Sequence, residues 1–409
     1  MFSNQNSEMH VLIMGAGVAG LLIAHGLEQA GIQYTIFEAE DQSTFRPREW
    51  TMALHWGLPL IEQMLPVHLA ARLREAYVDP SLDFDEYPNN GTRMFNGVTG
   101  ELIKEMKLEG RFVRVSRRKL RALCSEGVDV KYGHSLEHLS TRGDEVVATF
   151  TNGGKSTGTM LVGADGGRSV VRNELFGQAK GAAAPLQTIH INIVFSYPTA
   201  EQARFVRSAH PVFSLAIGKA FFILVSIQDV PDPNRPETWR FQLIMSWPGV
   251  PDKQATNAER HKEVKAQGAQ LAEPFKSAIL WIPDGVDVAY QDIGIWEPER
   301  WDTQGGRVTL AGDAAHSMPP HRGQGLNHAI QDAFNFVEAA KRVQAGEIEQ
   351  TESIQQYSDE VAERGAKEVR ISKQSAFMSM HVDQVMESAF FKHGIARSIE
   401  EKKVIEAKA

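Results

Sequence analysis

The sequence predicts an α/β chain, α+β overall, in which a parallel-sheet domain is interrupted by an antiparallel-sheet domain and followed by helices. Three observations predict it. An apolar run at 10–14 passes through Gly15-Ala16-Gly17-Val18-Ala19-Gly20 into an apolar helix and then a second strand at 34–38, the order of a βαβ unit. From about Pro185 the chain turns β-rich, with long apolar or alternating runs at 188–196, 212–227 and 239–247 separated by turns such as Pro231-Asp232-Pro233-Asn234. At 307–311 a buried strand returns, leading into a glycine-rich turn and a helix through about Val343.

Between these landmarks the elements follow in order. Residues 46–56 are a polar and aromatic connection, and a helix is expected over about 60–75. Short runs between about 76 and 109, broken by Asn89-Asn90-Gly91 and Gly97-Val98-Thr99-Gly100, predict β-hairpins laid over the first domain. A helix at 117–126 and strands at 128–132, 145–151 and 159–163 come next, and a helical pattern covers 259–280. Helical periodicity with few glycines runs from 353 to 403.

The 409 residues, 42% of them hydrophobic, suffice for two domains, or for one large α/β body with a smaller lobe. Lys and Arg number 43 against 51 Asp and Glu, a net charge of −8 with no basic run, which argues against a nucleic-acid partner. The single cysteine, Cys124, excludes an intrachain disulfide, a CxxC pair and a zinc cage. Its helix-like setting, Leu120-Arg121-Ala122-Leu123-Cys124, reads as a small buried position. The first eight residues contain no apolar run, and the first strand starts within about ten residues, so no signal peptide is expected. Apolar runs such as Phe221-Phe222-Ile223-Leu224-Val225 fall far short of the roughly 20 residues of a membrane span. A soluble, cytoplasmic protein is expected.

Three motifs carry chemistry. In the first, Gly15 permits a tight turn, Gly17 lets the backbone approach a pyrophosphate, and Gly20 lets helix pack on strand, as in a Rossmann-like unit. The helix N-terminus offers N–H groups to phosphate, and Glu38, ending the second strand, can accept from ribose hydroxyls. This motif alone does not separate FAD from NAD. The second, Gly163-Ala164-Asp165-Gly166-Gly167-Arg168-Ser169 with Arg172 one turn on, follows a buried strand; alone it reads equally as an ordinary Asp-Gly turn. The third runs from Leu310-Ala311-Gly312-Asp313 through His316, Pro319-Pro320 and His321 to Arg322-Gly323-Gln324-Gly325-Leu326-Asn327. Asp313 stands at the carboxyl end of a strand, where open α/β sheets bind ligands. Pro319-Pro320 forces an extended loop, while Gly323 and Gly325 let it approach a flat ligand.

Together the three motifs resemble those of the single-component (group A, p-hydroxybenzoate hydroxylase-like) FAD-dependent monooxygenases. The run Arg322 to Asn327 is similar to the variant in fungal secondary-metabolite hydroxylases of that family. The resemblance covers roughly residues 9 to 345 and is loose in the middle. It implies a Rossmann-like FAD-binding domain in two parts, 1–180 (with the hairpin insertion at about 76–110) and 296–345, a substrate domain at 181–295, and C-terminal helices at 346–409. It implies non-covalent FAD, NADPH or NADH as co-substrate, O2, and a small aromatic or polycyclic substrate, in a monomer or homodimer. By position, Gly15, Gly17 and Gly20 would face the pyrophosphate and Glu38 the adenosine ribose. Arg117 would lie near the pyrophosphate and ribitol, Asp165 would serve both FAD and NAD(P)H, and Asp313 would bind the ribitol region. Backbone N–H groups of Gly325, Leu326 and Asn327 would face the flavin N1–C2 edge, and Arg48 would pack near the isoalloxazine.

The implied reaction is reduction of FAD by nicotinamide, oxygen addition to give a C4a-hydroperoxide, and oxygen transfer to an electron-rich substrate in a dry pocket. Catalytic candidates are Pro320, His321 and Arg322 in the loop bordering the flavin. His190 and Asn192 alternate with Ile189, Ile191 and Ile193, so a solvated sheet face is expected there, with a cavity floor as the second reading. His316 is expected to make a structural hydrogen bond, and Trp50, His55 and Trp56 to be core, with pocket wall as the second reading. The same fold allows an epoxidation, Baeyer–Villiger or oxidase outcome. An NAD-dependent dehydrogenase would explain the first motif but not the third. A flavin halogenase lacks its paired tryptophans here (Trp281-Ile282-Pro283 has one), and a two-Rossmann class lacks its second fingerprint.

Overall fold

The structure is a computed structural model that describes residues 9–44, 49–86, 91–107, 111–388 and 391. Arg48 lies outside the described residues, so its expected place near the ring has no structural counterpart here.

Five parallel strands form the first sheet, in the order Val308–Leu310, Met160–Gly163, His10–Met14, Gln33–Phe37, Val130–Lys131. The central strands are apolar because both their faces are covered: Val11, Leu12 and Ile13 are fully buried, as are Met160, Leu161 and Val162. Helix Val18–Gln29 is buried all along 19–27, packed by helix Gly325–Gln344 as well as by its own strands. An apolar face all round is what such a sandwiched helix requires. Helix Gly325–Gln344 is covered in turn by the long helix Gln350–Met378, which buries Ile354, Tyr357, Val361 and Val369. Among the described residues no helix is long and apolar enough to cross a membrane, and no cluster of side chains could hold a metal ion.

The second sheet has six strands, ordered Thr188–Phe195, Arg240–Pro248, Phe222–Asp229, Phe213–Ile217, Gly91–Asn96, Leu102–Lys107. Its pairings are antiparallel except that Phe213–Ile217 runs parallel to Gly91–Asn96. The hairpin expected to lie over the first domain therefore extends the middle sheet instead. Its alternation placed it on a sheet but could not say which one, because the pairing partner lies more than a hundred residues away.

Four local expectations also change. Thr51–Leu54, read as connection, is a strand paired with Val113–Ser116. Leu136–Arg142 adds an unexpected strand to Glu145–Phe150 and Lys155–Gly158. The single helix expected at 60–75 is broken into Leu58–Met64 and Val67–Ala70 around Pro66, whose ring cannot continue a helix. The pattern at 259–280 divides into Asn257–Gly268, entered through a Thr256/Glu259 capping box, and Phe275–Leu280 after Pro274.

Candidate active site

The parallel sheet sets the three motifs side by side. Met14 pairs with Gly163 and Gly163 with Leu310, so the turns that follow these residues leave the same edge of the sheet. Gly15 adopts φ +102°, and a Cβ there would sit 2.4 Å from the Ala164 carbonyl oxygen. A Cβ on Gly20 would sit 2.0 Å from the Gly15 oxygen. Gly17 is different: a Cβ on it would meet nothing within 4 Å, because its face opens on a cavity. Glu38 turns back to this loop, accepting from the Ala16 N–H at 3.0 Å and from the Glu40 N–H at 3.0 Å.

Arg121, which sequence reasoning passed over, donates to the Ala16 oxygen at 2.7 Å and lies 3.9 Å from Glu38. Its signal was available: it stands four residues after Arg117 on one helix, hence on the same face. Arg117 itself lies over the Trp50 ring at 4.8 Å.

Asp165 caps the helix that follows it, accepting from Val170 N–H at 2.7 Å and Val171 N–H at 3.2 Å. Its other oxygen, Oδ1, is buried without a partner, and burial pushes the carboxyl pKa up. Arg172 clamps the second motif to the third. Its guanidinium donates to the carbonyls of Gly167 at 2.6 Å, Ala314 at 3.0 Å and Asp313 at 3.2 Å. Asp313 stands exposed on the wall of the cavity. Burial raises its pKa, against the pull of His316, Arg117 and Arg172.

Behind it, His316 has the structural bond expected, to Asp332 at 2.7 Å, and both residues are fully buried. Asp332 also takes the Gly312 N–H at 2.7 Å and Arg364 at 2.5 Å. Burial opposes ionisation of Asp332, but His316 and Arg364 outweigh it and hold the pKa far below the usual range.

The loop of the third motif turns through Pro320–Arg322, and Gly323 takes φ +64°. Arg322 is paired with Glu368 at 2.7 Å, both nearly buried. Burial opposes charge on Glu368, yet His328 and Arg322 bring it down to about 2. At the start of helix Gly325–Gln344 the first residue with an intrahelical acceptor is His328, bonded to the Gln324 oxygen. The N–H groups of Gly325, Leu326 and Asn327 thus have no acceptor inside the helix. Gly325 and Leu326 line the cavity, but Asn327 stands behind the wall. Its side chain accepts from the N–H groups of His55 and Gly57 at 3.1 and 3.2 Å, and donates to the Ala53 oxygen at 2.9 Å.

Opposite, the second sheet supplies the other wall: Phe213, Leu215, Leu224 and Ile244, with His190, Asn192 and Gln242 among them. The solvated face expected at His190 and Asn192 is instead cavity lining. His190 is only 3% exposed, because the first domain covers this face of the sheet. Trp50, expected in the core, also lines the cavity. Ser246 joins two histidines, with its Oγ 2.8 Å from His190 Nδ1 and 3.1 Å from His321 Nε2. Burial lowers His190 to about 3 and His321 to about 4, so both are neutral at pH 7.

Two cavities result. The larger, about 390 Å³, lies between the sheet wall and the third motif. The smaller, about 280 Å³, runs past Glu38, Arg121 and Asp165. They share Gly17, Arg117, Ala164 and Gly166 as lining, so they adjoin where the glycine loop and the Asp-Gly turn meet. A bare glycine face, unpaired helix N–H groups and an orphaned carboxylate oxygen need an anion and a hydroxyl donor. A dinucleotide carries both, with a ring system left over for the larger cavity.

Residues 114–372 match the family model described as FAD binding domain. The chain belongs to this family. It is an FAD-dependent oxidoreductase, a monooxygenase of the flavin hydroxylase group. An FAD-dependent monooxygenase of Penicillium herquei is 41% identical over 394 residues, covering 95% of each chain. Another, from Talaromyces islandicus, is 31% identical and covers 94% of this chain and 96% of its own. The fold is also that of Klebsiella pneumoniae HpxO, solved with FAD and uric acid: TM-score 0.75, 19% identity, 97% of this chain and 95% of that one.

Proposed function

We propose that this monooxygenase uses NAD(P)H and O2 to place one oxygen atom on an electron-rich aromatic or polycyclic secondary metabolite. The junction of the two cavities at Gly17 and Arg117 carries this reading: it offers one continuous site for a dinucleotide with its ring system beside an apolar wall.

Bound there, FAD supplies reduction by a nicotinamide and activation of O2 for single-oxygen transfer. The chain's own residues hold, polarise and dry the site. Gly15 and Gly20 shape the loop, and Gly17 and the N-terminus of helix Val18–Gln29 receive the pyrophosphate with Arg117 beside them. Glu38 would accept sugar hydroxyls, with Asp165 lining the same cavity. Asp313 accepts from the ribitol, its raised pKa moderated by the cations around it. The first N–H groups of helix Gly325–Gln344, with no lysine needed, would stabilise negative charge on the ring edge. Pro320, His321 and Arg322 would border the ring, with Arg322 held by Glu368. Phe213, Leu215, Leu224 and Ile244 would keep water from the site, so that activated oxygen goes to the substrate and is not lost as peroxide. A mostly apolar wall with a few polar groups is suited to a flat organic substrate.

The test is a screen of phenols, indoles and aromatic polyketides against purified protein with FAD, NADPH or NADH, and air. We expect a substrate that accelerates NAD(P)H oxidation and gains the mass of one oxygen. A panel giving neither acceleration nor an oxygenated product would overturn the reading.

A further inference from the structure

Three arginines line the larger cavity, and they differ in what balances them. Arg322 has Glu368 at 2.7 Å. Arg117 shares its end of the cavity with Asp313, whose ionisation it favours. Arg114 has no carboxylate partner among the described residues. Its Nε donates to Thr51 Oγ1 at 2.8 Å and to Ser226 Oγ at 3.0 Å, and its guanidinium carbon lies 4.6 Å over the Phe213 ring. All three partners are neutral.

The side chain is only 5% exposed. Yet its two terminal amino groups make no hydrogen bond to the described residues, neither is fully enclosed, and the residue lines the cavity. A guanidinium removed from water with no counter-charge is costly, and an arriving anion relieves that cost. Burial alone brings Arg114 down to about 9.

The residue is also held in place. It sits inside strand Val113–Ser116, paired with Thr51–Leu54. Thr51 is fixed by Gln242 through its N–H at 2.8 Å and its hydroxyl at 2.5 Å, and Gln242 by Asn192 at 2.8 Å. This neutral chain orients the planar fork without neutralising it. A fork of that kind matches an oxyanion whose charge is shared by two oxygens, or by one oxygen and a ring.

We propose that Arg114 is the anion-recognising residue of the substrate pocket, selecting substrates that carry a delocalised oxyanion, either a carboxylate or an ionised acidic phenol or enol. This rests on the reading above that the larger cavity receives the substrate. For a phenol or enol, the O–H bond breaks with both electrons left on oxygen, and the proton passes to bulk water as the anion settles on Arg114. No general base in the pocket is then required, and the resulting anion is the more electron-rich form for oxygen transfer. His190 and His321 line the pocket, and burial, which lowers them to about 3 and about 4, makes them weak proton acceptors.

The experiment titrates the FAD-loaded protein at pH 7.5 with 2-naphthoate, its neutral amide 2-naphthamide, and 2-naphthol, reading the flavin absorbance and the naphthol absorption. We expect 2-naphthoate to bind on the order of tenfold more tightly than the amide. Arg114→Gln should erase that preference, and Arg114→Lys should restore part of it. Bound 2-naphthol showing the absorption of its anion well below its solution pKa assigns the site to phenols; a preference confined to 2-naphthoate assigns it to carboxylates. The charge preference of the wild-type protein needs no variant to fold. Equal binding of acid and amide, no binding of either, or a preference that survives Arg114→Gln overturns the proposal. Flavin content and NAD(P)H consumption of the same samples separate the two readings: flavin bound and substrate oxygenated with no charge preference sinks Arg114 alone, whereas no flavin uptake sinks both.

Discussion

At the dinucleotide end of the site the backbone does the shaping; at the sheet wall the side chains do. Gly15, Gly20 and Gly17 work because they lack a side chain, two to let main chain approach main chain and one to leave room. On the proposed function, ligand contact there would be through N–H groups and a few fixed carboxylates. On the wall, Arg114, His190, Gln242 and Leu224 come from four strands, and their character comes from what packs around each. The first end suits any dinucleotide, while on the proposed function the second would set which substrate is admitted. Asn327 and Arg322 join them, one by hydrogen bonds to the 53–57 segment and the other by its ion pair with Glu368.

The sharpest way to break this contrast is at the glycines. Gly20→Ala places a Cβ 2.0 Å from a carbonyl oxygen that has nowhere to move, and we expect destabilisation of at least about 3 kcal/mol with loss of flavin-loaded protein. Gly17→Ala should leave the melting temperature of the flavin-free protein within a few degrees of wild type while weakening FAD retention, since its Cβ meets no protein atom. Equal melting temperatures for Gly20→Ala and wild type would erase the distinction between the two glycines.

The next effect is at the joint. Asn327→Ala leaves the N–H groups of His55 and Gly57 and the Ala53 carbonyl without their partner, so a loss of about 2–4 kcal/mol is expected by urea denaturation. A change below about 0.5 kcal/mol, the range of an ordinary surface substitution, would mean that the side chain does not hold the two parts together.

The smallest effect is on the wall and depends on pH. His190 and His321 are neutral in the fold, with pKa values lowered to about 3 and about 4 from 6.5. The unfolded chain therefore binds protons first as pH falls below 6.5, and stability drops from there toward pH 4. His321→Gln should flatten this stretch by about 1–2 kcal/mol between pH 7 and pH 5. Glu368 acts lower down: its contribution is complete above about 4.5 and is lost as pH falls toward about 2. A wild-type denaturation midpoint that does not move between pH 7 and pH 5 would remove the buried-histidine account.

Legibility in the sequence followed the same division. The turn at Gly15, the acid at Glu38 and the strand-end Asp313 could be read because each motif is contiguous and its conformation is local. The Asp332 hub could not, since three of its partners come from Gly312, His316 and Arg364. The strand Thr51–Leu54 is only four residues long beside aromatic neighbours, and its partner lies some sixty residues on. Period-2 alternation correctly marked His190 and Asn192 as sharing a face but said nothing of what covers it.

By itself the sequence determined where strands end in glycine turns, which helices begin there, and hence that a dinucleotide is held, because those properties depend on backbone conformation over a few residues. Only the tertiary structure decided that the three turns lie abreast, that the 91–107 hairpin widens the second sheet, and that Arg114 lines the cavity with no carboxylate partner among the described residues. A buried charge is defined by every group around it, and those groups come from strands far apart in the chain.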